Sequence, residues 1–406
     1  MMSDPPASSG DVANVQMETA SFGPIRQCDD GLYADVYPST DAMLIGADQP
    51  LPSWLAERFT ETLRMHAVDE MHLMHGTFVG TDVGGVFRQV GRYLPALGEA
   101  LRKRSKDLFD RGLGSLANFP VDFADRLSRE LGGMPVRTVH WTGENNHLGR
   151  LDAMIRWLDQ HALSEHPPKR ILMWAHSHGG NVLALLSQIL ASDLAARREL
   201  VASLRNHFRV PVVGRVDEPV WRRVADWLCS DAMSPPKIDY VTMGMPVRYR
   251  FDPNAHPLHI VHHQDSDDDH ATRAAPPQNL GDLLEATTGD SIQHLGTAGT
   301  DFRPPLFVLR DRFHDRRLHR RFEPWARRRR LWRNLRLGRR VHPDGLTLLV
   351  RYPKDPLGVH RNVFGHAVYT HRLHVAMHLQ ATMRYVYERE PTNSNMDGPV
   401  GRPIES

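Results

Sequence analysis

Short apolar runs alternate with longer helical patterns along the central part of the chain. A run of about four to eight apolar residues is typical of a buried strand, and apolar positions every three or four residues are typical of one helix face. The alternation predicts βαβ units around a mostly parallel sheet flanked by helices, which is an α/β fold. The predicted strands are Met71–Met74, Val136–Trp141, Ile171–Ala175, Tyr240–Met243, Leu258–His262 and Leu346–Tyr352.

Four segments depart from this rhythm. Residues 1–30 and 391–406 are polar and have no periodicity, so we expect a disordered or loosely attached arm and a flexible tail. Residues 192–236 and 270–344 lie between predicted strands. They are therefore expected to be insertions into a single domain of residues 31–390, where they would form a helical cap or lid.

The distribution of charge is uneven. The net charge is only +2, yet the segment 310–340 is dominated by arginine. Basic residues mixed with aromatic ones can bind phosphates on a membrane surface or on nucleic acid. The alternative is a solvated helix face whose arginine stems cover apolar surface. The solvated face is the favoured interpretation; an anionic membrane surface is a possible partner, and nucleic acid is not expected because no recognised nucleic-acid motif surrounds the segment. The interleaved aromatic residues are Phe313, Phe322, Trp325 and Trp332.

The sequence contains no recognisable membrane or secretion signal. The first residues lack the basic start and apolar run of a secretory signal, and no segment approaches the roughly 18 apolar residues of a membrane span. The two cysteines, Cys28 and Cys229, are too few for a disulfide framework. A cytoplasmic protein without a transmembrane segment is expected.

Ser177 lies between a predicted strand and a predicted helix, in the run Ala-His-Ser-His-Gly-Gly. A sharp turn there needs small residues two positions before and after the serine, and Ala175 and Gly179 provide them. The run resembles the G-x-S-x-G nucleophile elbow of the α/β-hydrolase superfamily, in particular its lipase and esterase branch. The alternative is a glycine-rich phosphate-binding turn, but the lysine and glycine spacing of a P-loop is absent.

The resemblance implies roles for the residues around the elbow. Ser177 would be the nucleophile, and the backbone N–H of His178, at a helix N-terminus, would be one oxyanion-hole donor. The side chains of His176 and His178 are expected to pack beside the site.

A second motif precedes the elbow. His75-Gly76 follows the strand Met71–Met74 and resembles the His-Gly oxyanion motif of lipases. The resemblance implies that Thr77 supplies the second backbone N–H donor, with Phe78 as the less favoured choice. An ordinary glycine turn with a buried histidine is the alternative.

A serine nucleophile needs a histidine base. The chain has 24 histidines, and the resemblance implies that the base follows the last strand. His366, in Gly-His-Ala-Val-Tyr, occupies that position. His371, His374 and His378 follow at helical spacing and could bind a metal ion, but without a supporting ligand pattern they are expected to form a buried helix face.

The resemblance places the orienting acid between the serine and the histidine, after the strand Leu258–His262. Asp265 is the first carboxylate after that strand, ahead of Asp267–Asp269, and Asp252 is a reserve candidate. The loop 262–270, rich in histidine and aspartate, could bind a cation loosely. No metal or other cofactor is expected.

A serine hydrolase that cleaves carboxylic esters is the function that these motifs predict. Its substrate would be a small-molecule or lipid ester, and the choice among lipase, phospholipase, carboxylesterase and thioesterase stays open. The alternative is a catalytically idle protein of the same fold that binds anionic lipid or a protein partner through the Arg-rich insertion. The expected pocket residues are His75, Phe78, Trp141 and Glu144, while Asn145 either lines the pocket or caps a helix.

Overall fold

A sheet of nine described strands, most of them parallel, forms the centre of the protein. In this computed structural model the described residues are 19–39, 49–77, Phe119, 122–205, 209–210, 216–217, 219–264, 272–275, Asp282, 286–299, 309–322, 331–353 and 364–388. The strands are β1 (Ala20–Phe22), β2 (Arg26–Cys28), β3 (Gly31–Pro38), β4 (Glu70–Met74), β5 (Val136–Val139), β6 (Arg170–His176), β9 (Lys237–Met243), β10 (Leu258–His262) and β11 (Leu346–Val350), with a separate hairpin of β7 (Arg209–Val210) and β8 (Val216–Asp217).

Helices cover both faces of the sheet. They are α1 (Ser53–Met65), α2 (Phe123–Glu130), α3 (His147–Trp157), α4 (His178–Ala191), α5 (Leu194–Leu204), α6 (Pro219–Leu228), α7 (Ser291–Ala298), α8 (Leu309–Phe322), α9 (Leu331–Leu337) and α10 (Val375–Thr382). One face packs against α1, α2 and α10 and the other against α3, α4, α6 and α8. Apolar side chains from these helices bury the sheet on both sides, which is why its central strands are almost continuously apolar.

The order of the strands creates a crevice at one edge of the sheet. Their order is β1-β3-β11-β10-β9-β6-β4-β5, and all neighbours from β3 to β5 are parallel. From β4 the chain leads to the edge strand β5, and then returns to β6 on the other side of β4. Loops that leave β4 and β6 therefore diverge, and ligands of open α/β sheets bind in crevices of this kind.

The α/β architecture and all six predicted strands are confirmed, with end positions that agree or shift by up to three residues. The prediction of a loose arm over residues 1–30 is wrong for its last part. Ala20–Phe22 and Arg26–Cys28 pair antiparallel with β3. Strands of three residues are too short to display a period of two, so the sequence pattern concealed them.

Among the described helices, none is long and apolar enough to cross a lipid bilayer.

Candidate active site

Ser177 forms a one-residue turn between β6 and α4. Its backbone has φ 55° and ψ −133°, and a positive φ is strained for a residue that carries a side chain. Its N–H donates to the Met243 carbonyl oxygen at 2.8 Å, which holds the turn against the end of β9. A Cβ atom at Gly179 would lie 2.7 Å from the His75 carbonyl oxygen. The predicted small residue is therefore needed for α4 to approach the loop after β4.

The His75-Gly76 loop lies against the serine. The His75 Nδ1–H donates to the Gly76 carbonyl oxygen at 2.8 Å, and its Nε2 accepts the Trp141 backbone N–H at 3.2 Å. The Trp141 indole N–H returns a bond to the His75 carbonyl oxygen at 2.8 Å, and the two rings stack with centroids 5.7 Å apart. A Cβ atom at Gly76 would lie 3.1 Å from the Ser177 Oγ. The hydrogen bonds and ring stacking between His75 and Trp141 thus fix the backbone of Gly76, which carries no side chain, beside the Ser177 hydroxyl.

His366 lies beside His176, the residue that precedes the serine. Its Nδ1–H donates to the Asp290 Oδ2 at 2.7 Å, and both side chains are buried. The ring of His176, the residue before the serine, packs on the His366 ring at a centroid distance of 4.4 Å. The His176 Nε2–H also donates to the His366 carbonyl oxygen at 3.1 Å. The structure therefore brings together the predicted base and the residue next to the predicted nucleophile.

Asp290 is held by bonds to both of its carboxylate oxygens. Besides His366, its Oδ2 accepts the Tyr369 hydroxyl at 2.9 Å, and that hydroxyl accepts the His262 backbone N–H at 2.7 Å. Its Oδ1 accepts the Gln293 backbone N–H at 2.8 Å, as the N-cap of α7. Burial raises the pKa of Tyr369 well above its ordinary range, and the Asp290 charge adds to this. The hydroxyl therefore stays a hydrogen-bond donor.

Arg340 is a fully buried cation behind the acid. Its guanidinium donates to the carbonyl oxygens of Asp290 and Thr288 and to the Gln293 Oε1. Burial alone would raise the pKa of the Asp290 carboxyl, but His366, Arg340 and the Gln293 N–H together hold it below its ordinary value. Asp290 is thus an ionised carboxylate that orients the imidazole.

The partner of His366 is a residue that sequence reasoning missed. The predicted acid, Asp265, lies outside the described residues. The reserve candidate Asp252 accepts the Asn254 backbone N–H at 2.9 Å, within its own turn. Asp290 does satisfy the order serine, acid, histidine, but it stands far along the chain from the end of β10.

Backbone pairing brings Asp290 back to the sheet. A bridge joins His263 to Gly289, and the Asp290 N–H donates to the His262 carbonyl oxygen at 3.1 Å. One sequence signal could have found it, because Asp290-Ser-Ile-Gln293 has the D-x-x-Q form of a helix N-terminus. A capping aspartate and a catalytic one look alike in sequence, so this signal does not identify a site by itself.

Of the three candidates for the oxyanion hole, Thr77 and His178 are described, and both adjoin residues of the turn or of the loop beside it. Thr77 is buried directly after Gly76, and Phe78 lies outside the described residues. His178 is the first residue of α4, and its Nδ1 accepts the Asn181 side-chain N–H at 3.3 Å. Its side chain is buried, as the sequence analysis expects.

The predicted pocket residues beyond Trp141 belong to the start of α3. Glu144 is fully buried and accepts the Asn146 side-chain N–H at 3.3 Å. The N-cap of α3 is Asn146, which accepts the Gly149 N–H at 2.8 Å. The adjacent Asn145 accepts a hydrogen bond from Arg150 at 2.8 Å. The capping alternative considered for Asn145 is therefore wrong by one residue.

The later histidines pack against a tyrosine. The Tyr352 hydroxyl lies 2.7 Å from the His378 Nε2, and the His374 ring contacts the Tyr352 ring at a centroid distance of 4.6 Å. His374 and His378 are buried, as expected for an inward helix face. Within the described part of the chain, they do not form a metal-ligand cluster with His371.

One other group of side chains in the described ranges has the spacing of a metal site: Glu70, His72 and His161. The Trp157 indole N–H donates to the His72 Nδ1 at 3.1 Å, so the ring proton lies on Nε2, which donates to Glu70 at 2.9 Å. The Arg137 guanidinium binds both Glu70 oxygens, at 2.8 and 3.0 Å. The hydrogen bond from His72, with Arg137, lowers the pKa of Glu70 to about 2. This group is an ion-pair network at the end of the sheet opposite Ser177, and His72 has no nitrogen free for a metal.

Comparison with protein-family models, with characterised proteins and with solved structures found no match to this chain.

Proposed function

We propose that the protein is a serine hydrolase that cleaves carboxylic esters, on a fold of the α/β-hydrolase type. Ser177 is the nucleophile, His366 the general base and Asp290 the orienting acid. The observation that carries the proposal is the buried His366–Asp290 pair, 2.7 Å apart, beside the strained turn at Ser177. Strained turns that persist in a fold cluster at functional sites, and an imidazole oriented by a buried carboxylate is the usual activator of a serine.

The chemistry follows from the protonation of the imidazole. Because the Nδ1–H of His366 is bound to Asp290, the lone pair for proton transfer is on Nε2. Nε2 takes the proton as the Ser177 Oγ attacks the ester carbonyl carbon, and then gives it to the departing alkoxide. The acyl-enzyme is hydrolysed by water in the same way, which releases the acid and restores the hydroxyl.

The negative charge that develops on the carbonyl oxygen needs donors close to the hydroxyl. The N–H of His178 begins α4, where the first backbone N–H groups have no partner within the helix. The N–H of Thr77 follows Gly76, whose missing side chain leaves the backbone close to the Ser177 Oγ. We assign these two groups to the oxyanion hole.

Labelling with a fluorophosphonate probe tests the proposal without any assumption about the substrate. We expect one labelled site, at Ser177, and turnover of p-nitrophenyl esters. A series of acyl chains from acetate to palmitate then ranks esterase against lipase activity, because the pocket decides this choice and the triad does not. A folded protein that takes up no probe and turns over no ester of the series would contradict the proposal.

A methyl group at Gly76 is expected to damage the site while the fold is retained. The added Cβ would lie 2.5 Å from the Ser177 Cβ and 3.1 Å from its Oγ, so the serine or the loop must move. A displacement of about 1 Å at a reacting group can cost about 100-fold in rate. We therefore expect Gly76→Ala to lower the rate of fluorophosphonate labelling by about that factor.

Gly132→Ala is the control for this variant. Gly132 also tolerates a methyl poorly, because its φ is +65°, but no atom lies within 4 Å of the added Cβ. It should lower the melting temperature slightly and leave labelling unchanged. Equal labelling rates in both variants would show that Gly76 does not border the reacting hydroxyl.

Arg340→Met is expected to change the pH dependence of turnover. Removal of the buried cation raises the pKa of Asp290, because Arg340 lowers it in the folded protein. Protonation of Asp290 removes the charge that orients the imidazole, so the acidic limb of the rate profile should move to higher pH. The other titratable side chains around Asp290 and His366 are Tyr369, His176, His262 and His294.

Arg340→Lys keeps the charge and should keep the position of the limb even if turnover falls. If Arg340 serves only in packing, both variants should turn over the ester more slowly, and the acidic limb of the pH–rate profile of Arg340→Met should stay at the pH of the parent protein.

A further inference from the structure

The outer face of α8 carries three arginines and a phenylalanine. Phe313, Arg316, Arg317 and Arg320 are spaced i, i+3, i+4 and i+7, so they share one side of the helix. All four side chains are exposed, and Phe313 is 64% accessible. Among the described residues four large hydrophobic side chains are exposed, only Met65 more so than Phe313, and Phe313 is the one on a basic helix.

The inner face of α8 fixes the helix to the domain. The Asp315 carboxylate accepts the His147 backbone N–H at 2.9 Å, at the start of α3. Leu318 and Phe322 are buried in the same core cluster as α3, α4 and α6. Asp315 is the one acidic residue from Arg312 to Phe322, and it points inward. The helix is therefore attached through its inner face, and residues 312–322 place no carboxylate on the outer face.

The structure separates the arginines of the segment 310–340 by their contacts. Arg321 pairs with Glu199 at 3.5 Å, Arg339 pairs with Asp30 at 3.2 Å, and Arg340 is buried behind the candidate acid. By contrast, Arg316, Arg317 and Arg320 make no hydrogen bond or ion pair with any described residue. Arg333 and Arg336 of α9 are also exposed, but Arg316, Arg317 and Arg320 share their side of the helix with an exposed aromatic ring.

We propose that the outer face of α8 binds the surface of an anionic lipid bilayer. Exposed guanidinium groups are attracted to the negative headgroup layer, and each basic residue near that surface adds to the affinity. A phenylalanine at the same level can insert among the acyl chains, and this apolar gain does not depend on salt. The combination favours a membrane over a nucleic acid, because single-stranded nucleic acid is bound in basic grooves with several stacking rings, whereas one exposed ring is enough to insert among acyl chains.

The position of α8 relates this surface to the candidate active site. Asp315 holds the start of α3, and the residues just before α3 lead back to Trp141, which clamps His75 beside Ser177. The start of α3, which Asp315 holds, therefore connects α8 to the loop beside the serine. The link between α8 and the serine rests on the proposed function and directs it toward membrane lipid esters; the docking of α8 does not depend on hydrolysis.

Vesicle flotation of the full chain tests the docking directly. The vesicles contain phosphatidylcholine alone, or phosphatidylcholine with phosphatidylserine. We expect binding to the anionic vesicles only, and weakening as salt rises through about 0.15 M, where screening acts over roughly 8 Å. The double variant Arg316→Glu/Arg320→Glu should lose about 30-fold or more in partitioning, and Phe313→Ala about 5-fold.

A charge-matched variant controls for net charge. Arg129 and Arg222 are exposed arginines on α2 and α6, and Arg129→Glu/Arg222→Glu changes the net charge by the same amount. This control should float like the parent protein, and thermal melts of all variants should coincide within a few degrees. Ester turnover measured on a water-soluble substrate should be unchanged in every variant, which separates failed docking from failed catalysis.

Three outcomes would overturn the docking proposal. Equal flotation with neutral and anionic vesicles, or none with either, removes the membrane as the partner. An equal loss in the charge-matched control shows that binding follows overall charge and not α8. If Phe313→Ala floats like the parent protein, and the parent protein binds an RNA oligonucleotide tightly and in a salt-sensitive way, then the outer face of α8 binds nucleic acid and not a membrane.

Discussion

Replacing Ser177 with alanine is expected to abolish fluorophosphonate labelling and to lower kcat for p-nitrophenyl esters by about 10⁴-fold or more. Without the hydroxyl, His366 has no serine to activate, and only water is left to attack a carbonyl group that the oxyanion donors polarise. The fold should survive, because the Ser177 side chain is small and its backbone N–H keeps the bond to Met243. Circular dichroism and active-site labelling of the purified variant check both statements.

Ser177→Gly separates the role of the side chain from that of the backbone. With φ at 55°, serine stores strain that glycine does not have, so Ser177→Gly should be more stable than Ser177→Ala by about 1 kcal/mol. Both variants should be inactive. If a folded Ser177→Ala protein labels like the parent, another serine is the nucleophile.

Asp290→Asn is expected to cost up to about 10⁴-fold in kcat. Each carboxylate oxygen of Asp290 already accepts a hydrogen bond from a fixed donor, Tyr369 on one side and the Gln293 N–H on the other. An amide must place its NH₂ against one of them. If it faces His366, it forces the ring into the tautomer that carries a proton on Nε2, and the base can no longer accept the serine proton.

Parallel Asp265→Asn and Asp252→Asn variants decide which carboxylate acts. Both should stay within a few-fold of the parent in ester turnover near neutral pH. Collapse of Asp265→Asn with an active Asp290→Asn would return the acid to the position that the sequence predicts, directly after β10.

The Asp290 carboxylate should also affect the free energy of unfolding at low pH. Since the pKa of Asp290 is lower in the folded protein than in the unfolded chain, its ionised form stabilises the fold above the ordinary aspartate pKa of about 4. This contribution is lost as pH falls through the folded-state value. The difference in free energy of unfolding between the parent and Asp290→Asn should therefore shrink on acidification.

The sequence alone determined the features that depend on neighbours along the chain. Apolar runs located six parallel strands, and the run from Ala175 to Gly180 located the turn at Ser177, because a sharp turn constrains residues only two positions away. The choice of His75 and His366 came from the resemblance to hydrolase motifs, which implies that both follow strands whose carboxyl ends meet at one edge of the sheet.

Only the tertiary structure decided which distant side chains meet. Asp290 reaches His366 through backbone pairing to His262 and His263, and no local pattern distinguishes it from an ordinary helix cap. The arginines of the segment 310–340 look equivalent in sequence, yet Arg340 is buried behind the acid while Arg316, Arg317 and Arg320 face solvent. Burial and pairing depend on what packs against each face, and this depends on residues far away in the chain.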